Sequence, residues 1–203
     1  MARFPEFRDE ELDDEQRRVA AAIRGGPRGG LPGPFVPLLH NPNLADRVQT
    51  LGAYLRYECS LPDDLKELAI IVTARHWSAQ YEWYLHSRFA LEAGISAEIV
   101  AAIAEDRRPD GLSPVQAAVY DFCIELHAEG RVSDATFQRA LDLMDRRRLM
   151  DLIGLCGYYT LIAMVLNVAE VPIPDGEAPL GRRRPRTASA SGRPPRRTGA
   201  PEA

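Results

Sequence analysis

The chain is poor in cysteine. Cys59, Cys123 and Cys156 stand far apart in 203 residues, and an odd, scattered set is no disulfide framework; it fits a reducing compartment. Long apolar runs are also lacking: none approaches the ~20 residues that span a bilayer. The charged start, MARFPEFRDEELDDEQRR, has no apolar centre of the secretory kind. These absences predict a cytoplasmic protein with no membrane contact. Strand-like alternation of any length is missing, and the β-branched residues fall within helical periodicity. GGPRGGLPGPFVPLL is rich in glycine but lacks the Lys-Ser/Thr ending that closes a phosphate-cradling loop, which excludes a nucleotide site there.

Charge is unevenly spread. Residues 181–203 carry seven Arg and one Glu, so a chain with net charge −4 has a body of −10. An acidic body makes nucleic acid an unsuitable partner. The tail, GRRRPRTASASGRPPRRTGAPEA, holds no large apolar residue and cannot offset its ordering entropy, so disorder is expected over residues 179–203. Residues 1–11 read as a flexible start, and 12–178 as one all-α domain, a helical bundle.

Within it, serial punctuation marks the helices. DDEQRRVAAAI is amphipathic. Asn43 and Ser60 are candidate caps for the next two helices, and Ser78 for the one after, which should stop at Gly94. Ser96, Ser113 and Ser133 each precede a further helical pattern, with Pro114 suited to a first helical position. The last helix, RRRLMDLIGLCGYYTLIAMVLNVAEV, ends before Pro172 and Pro174. It is apolar on nearly every face, which predicts burial at the domain centre or in a homo-oligomer interface.

Chemistry concentrates in SAQYEWYLH. Glu82 and His86 are four apart, one helical turn on one face. A carboxylate beside an imidazole holds a proton ready near neutral pH. Glu67 lies early in the preceding helix, and a helical hairpin would bring it to His86. The bland alternatives are a solvated acid for Glu82 and a helix-dipole partner for Glu67. With no second His at helical spacing, since His76 is ten residues away, no protein-bound metal is expected. Trp77, Tyr81, Trp83 and Tyr84 divide between core and a pocket wall. Arg75 and Arg56 are candidate carboxylate clamps, Arg56 being better read as an internal salt-bridge partner. His40 can reach a pocket mouth, and His127 suits a helix C-terminus. Cys123 and Cys156 read as buried, inert packing residues.

The order Glu67, Ala79, Glu82, His86 resembles the signature helix pair of the carboxymuconolactone decarboxylase family, which includes the alkylhydroperoxidase D-type proteins. GPFVPLLHNPNLADRVQTLGAYLRY, LPDDLKELAIIVTARHWSAQYEWYLH and LMDLIGLCGYYTLIAMVLNVAEVPIP resemble its decarboxylase-like members, over roughly residues 12 to 178. In the redox branch a Cys-x-x-Cys pair precedes the His; here Ala79 and Glu82 stand at the two Cys positions. Thiol peroxidase chemistry through that motif needs an attacking and a resolving sulfur, and neither is present. The resemblance therefore implies cofactor-free acid–base chemistry on a small carboxylated or lactone-like substrate, by a lyase, isomerase or hydrolase. Catalytic roles fall to Glu67, Glu82 and His86, and substrate contacts to Arg75, Tyr81, Trp77 and His40. It also implies a homo-oligomer. The competing expectation is a non-catalytic oligomeric binding or structural protein on the same fold. Within the acid–base reading, a helix N-terminus should keep Glu82 ionised and an ionised Glu82 should raise the His86 pKa; burial under Trp77 and Trp83 would oppose it.

Overall fold

The computed structural model describes residues 2–31, 33–174 and 180–181. Among them the secondary structure is helical, without strands. The helices are α1 (Asp14–Arg24), α2 (Phe35–Leu38), α3 (Pro42–Ala53), α4 (Asp63–Trp77), α5 (Gln80–Glu92), α6 (Ala97–Ala104), α7 (Pro114–Glu129), α8 (Asp134–Leu143) and α9 (Arg146–Ala169). A 3-10 turn, Asp9–Glu11, precedes α1, and a π-helical turn, Tyr54–Glu58, extends α3.

Helix α4 is the axis. Every residue from Leu65 to Arg75 is buried, polar ones included. A helix apolar on nearly all sides needs neighbours on all sides, and α5, α6, α7 and α9 supply them. Helix α9 is long and apolar enough to cross a membrane, contrary to the expectation that no such run exists. Half of its apolar window is buried, its inner side lying against α4, so core packing accounts for much of that character.

The caps explain the helix ends and correct three expectations. Ser96, Ser113 and Ser133 accept from the backbone N–H groups of Ile99, Gln116 and Thr136, as the sequence predicts. The cap of α3 is Asn41 instead of Asn43, because Pro42 takes the first helical position, where no N–H is needed. Ser60 does not cap α4; its hydroxyl is committed to Asp151. Ser78 does not cap α5 either. It sits at φ 50, ψ 37, the left-handed residue that ends α4. Its N–H goes to Arg75 O, and the N–H of Ala79 reaches back to Ala74 O at 2.9 Å. The α4–α5 turn is thus a helix stop with almost no loop, and α5 begins without a side-chain cap.

The π turn is clamped from both ends by Asp151 of α9. Tyr54 donates to Asp151 Oδ1 at 2.8 Å, while the Ser60 N–H and hydroxyl donate to Oδ2 at 2.8 and 2.6 Å. Burial would raise the Asp151 pKa, but the Ser60 and Tyr54 hydrogen bonds outweigh it and hold it below its usual value. Buried Lys66 adds a third fastening by donating to Arg56 O at 2.8 Å.

Described residues near both ends touch the domain. The N–H of Arg3 donates to Ala169 O, and Phe4 and Phe7 pack on the His40 ring, so residues read as a flexible start lie on the bundle. Of the tail, Leu180 is buried and exchanges two 2.9 Å hydrogen bonds with Gln80, and Gly181 O accepts from Arg75. Of the disorder expected for residues 179–203, all but residues 180 and 181 falls outside the described residues.

Candidate active site

The hairpin geometry carries Glu67 to His86. Helix α5 folds straight back along α4, and Glu67 Oε2 lies 2.6 Å from His86 Nδ1. Both side chains are buried. A carboxylate oxygen accepts, so Nδ1 carries the proton and donates it. In a neutral ring, Nε2 then bears the lone pair. Burial lowers the His86 pKa; the Glu67 hydrogen bond and charge raise it, Arg56 lowers it further, and the net direction is down. His86 is therefore a neutral, oriented base at neutral pH. The rings of Phe89 and Tyr159 meet it edge-on at 5.5 and 5.0 Å.

Glu82, one turn before His86, has no such partner. It is only 2% exposed, and among the described residues neither carboxyl oxygen has a hydrogen-bond partner. Burial pushes its pKa well above the usual carboxylate value. The expectation of an ionised Glu82 is overturned. Its place in the first turn of α5 does not compensate for the loss of water, because burial penalises charge more strongly than a helix N-terminus favours it. Burial therefore favours the protonated, uncharged form of Glu82.

Glu82 and His86 line one pocket of about 450 Å³, its open mouth included. Aromatic and aliphatic walls come from Phe35, Leu85, Tyr158, Tyr159 and Ile162, and cations from Arg28 and Arg56. Arg56 stands on the clamped π turn with its guanidinium 4.9 Å from the Phe89 ring centre. Arg28 lies 4.9 Å over Phe35. Gly52 permits this corner: a Cβ there would overlap the Tyr158 hydroxyl and sit 2.7 Å from Arg28 Nη2. Tyr81 closes one side, its hydroxyl accepting from the Gly33 N–H at 3.1 Å.

The structure thus gathers Glu82, His86 and Tyr81 at the pocket, with Glu67 directly behind His86. It does not bring the other three candidates there. Arg75 is buried on another side of α4 and holds Gly181 O. Trp77 donates to Thr160 Oγ1 at 3.3 Å, beyond the pocket wall. His40 lies on the outer surface against Phe4, Phe7 and Pro5 O. Arg56, read from sequence as a salt-bridge partner, is a pocket cation instead. Arg28, Tyr158 and Tyr159 had no signal in local spacing, since α1's trailing loop and the middle of α9 reach the pocket only through tertiary packing. Among the described residues no group of three His, Cys, Asp or Glu side chains converges as a metal-ligand set.

The carboxymuconolactone decarboxylase family matches residues 42–125, the stretch from α3 into α7 that contains Glu67, Glu82 and His86. Solved structures similar to the whole fold include an alkylhydroperoxidase AhpD core, an uncharacterized peroxidase-related protein from Ralstonia eutropha JMP134. It is 17% identical with a TM-score of 0.71, over 86% of this chain and 93% of that one. An uncharacterized peroxidase-related protein from Silicibacter sp. TM1040 is 14% identical with a TM-score of 0.69, over 83% and 88%. The debrominase Bmp8 is 16% identical with a TM-score of 0.65, over 83% and 91%. No curated protein matches the chain.

The opposed environments leave a signature in stability. The folded state holds the Glu82 proton more tightly than the unfolded chain, so wild-type stability falls as pH rises above the ordinary value of 4.5. The fall continues until Glu82 ionises in the folded protein. Glu82→Gln removes this slope. In urea unfolding at stepped pH, the stability difference should move steadily in favour of Glu82→Gln from about pH 4.5 upward. A difference that does not change with pH would show that Glu82 titrates normally.

Proposed function

We propose that this chain, with the carboxymuconolactone decarboxylase family match across its site helices, is a cofactor-free acid–base enzyme acting on a small carboxylated or lactone-like substrate. The observation that carries this reading is the pairing of a Glu67-oriented imidazole with a buried carboxyl that has no hydrogen-bond partner among the described residues, on one wall of one pocket. Two titratable groups whose surroundings push their pKa values in opposite directions are the usual mark of an assigned base and an assigned acid.

The roles follow from the atoms. His86 Nε2 takes a proton from a substrate carbon or from an attacking water. Glu67 keeps the ring oriented and stabilises the imidazolium that forms. Glu82 gives its proton to the oxygen on which negative charge develops. Arg28 and Arg56 attract the substrate carboxylate, and the aromatic walls take an unsaturated or cyclic skeleton. Proton abstraction next to a carbonyl, lactone opening and decarboxylation all draw on this set. The alternative of a non-catalytic scaffold leads one to expect these three side chains apart and in water. Their joint burial around one concavity favours the enzyme.

We also propose that the protein works as a homo-oligomer. Helix α9 keeps Met150, Ile153, Met164 and Val168 exposed, and Leu44 and Leu51 of α3 are exposed as well. Such exposed apolar side chains fit a subunit contact.

Turnover should be found by incubating wild type and His86→Ala with a metabolite mixture and following the compounds that only wild type consumes. Once a substrate is in hand, His86→Ala and Glu82→Gln should each lower kcat by about 10²–10⁴, with the double variant little worse than either. The pH profile of kcat/KM should be a bell, rising as His86 loses its proton below the ordinary value of 6.5 and falling as Glu82 ionises above 4.5. Near-wild-type turnover in His86→Ala contradicts the assignment. For the assembly, sedimentation at micromolar concentration should give a species heavier than one chain, and a clean monomer refutes it.

A further inference from the structure

A second cluster of reactive groups lies inside the bundle, apart from the pocket. The sequence reads Cys123 of α7 and Cys156 of α9 as buried, inert packing residues. Their sulfurs lie 3.5 Å apart, fully enclosed. Two thiols in sulfur contact are one rearrangement from a disulfide, in which the sulfurs stand about 2.0 Å apart. Cys59, the remaining cysteine, is only partly buried and not paired with them.

The pair has a built proton relay. His127 sits one turn along α7 from Cys123. Its Nε2 lies 2.9 Å from Thr73 Oγ1 of α4. The Thr73 hydroxyl already gives its hydrogen to Ala69 O at 2.8 Å, so it can only accept from His127. Nε2 therefore carries a proton, and the ring is fixed in place. The contact with Cys123 and the presence of His127 and Thr73 all favour a thiolate at Cys156 against the cost of burial. His127 is half-buried and stacks on half-buried His76 with ring centres 4.9 Å apart. The two rings thus bridge from the protein surface to the sulfurs.

We propose that Cys123 and Cys156 are an oxidisable dithiol, converted to an intramolecular disulfide by a small hydroperoxide. The Cys156 thiolate attacks the peroxide O–O bond and becomes a sulfenic acid. The departing oxygen leaves as water or an alcohol, taking back the proton that the Cys156 thiol gave to the second ring nitrogen of His127 when the thiolate formed. The Cys123 sulfur then displaces the sulfenic oxygen as water, and the S–S bond forms. Each sulfur loses one electron overall, and the peroxide gains two. This site shares no residue with the acid–base pocket. It does share α9, because Tyr158 and Tyr159 of the pocket wall follow Cys156 by two and three residues.

Full-length protein is treated with hydrogen peroxide, quenched with catalase, denatured, alkylated with N-ethylmaleimide and weighed intact. The reduced chain takes three labels. After peroxide it should take one, at Cys59, with a Cys123–Cys156 cross-linked peptide in the digest and full recovery on dithiothreitol. In Cys59→Ser the count should fall from two to none. His127→Gln should slow the reaction by about tenfold or more, through loss of the thiolate-supporting ring. Three labels after peroxide, a disulfide that includes Cys59 or joins two chains, or an unchanged rate in His127→Gln would each overturn the proposal. The wild-type count needs no core substitution, so the test survives if a cysteine variant misfolds.

Discussion

The hydrogen bond between Glu67 and His86 fixes the rest of the site. It links the central helix to its hairpin partner, and it decides which ring nitrogen faces the pocket. A hydrogen bond involving a charged group contributes about 1.5–3 kcal/mol net, and in an enclosed position the cost of leaving either partner alone is larger than in water. The short turn makes the contact possible. Ser78 in the left-handed conformation reverses the chain within two residues, so α5 runs back beside α4 without slack. Glu67, one turn into α4, then meets His86, well along α5.

Glu82 shows the other side of the same physics. It shares a helix with His86 and lies one turn away, yet among the described residues it has no donor to accept from. One carboxyl is paired and orients an imidazole; burial shifts the other toward its protonated form. A donor placed against Glu82 would favour its ionised form. The clamped π turn completes the arrangement. Asp151 and Lys66 hold the backbone around Arg56, so the pocket cation rests on a rigid segment. A local departure from α-helical geometry at such a place is a recurrent feature of functional sites.

Much of this was legible in the sequence. The all-α class followed from periodicity and serine caps, and the hairpin encounter of Glu67 with His86 followed from their positions on successive helices. The charge states were not legible. A glutamate in a first helical turn reads as ionised, and only the absence of a partner in three dimensions reverses that. Ser78 carried a misleading signal, since serine both starts helices and can occupy the turn that ends one. Arg75 lay nearest the motif along the chain but points to another side of α4. Arg28 and Arg56 occupy the pocket because α1's loop and the π turn fold over α9. The contact of Cys123 with Cys156 joins helices 33 residues apart and has no local signature at all.

The state of the His86 ring tests the account most directly. Nitrogen-15 NMR of histidine-labelled protein, with His86→Gln to assign the resonance, reports both ring nitrogens across pH. At pH 7 the account predicts a neutral His86 with its proton on Nδ1, replaced by the Nε2–H form or by tautomer exchange in Glu67→Gln. An imidazolium at pH 7, or a wild-type ring with its proton on Nε2, would contradict it.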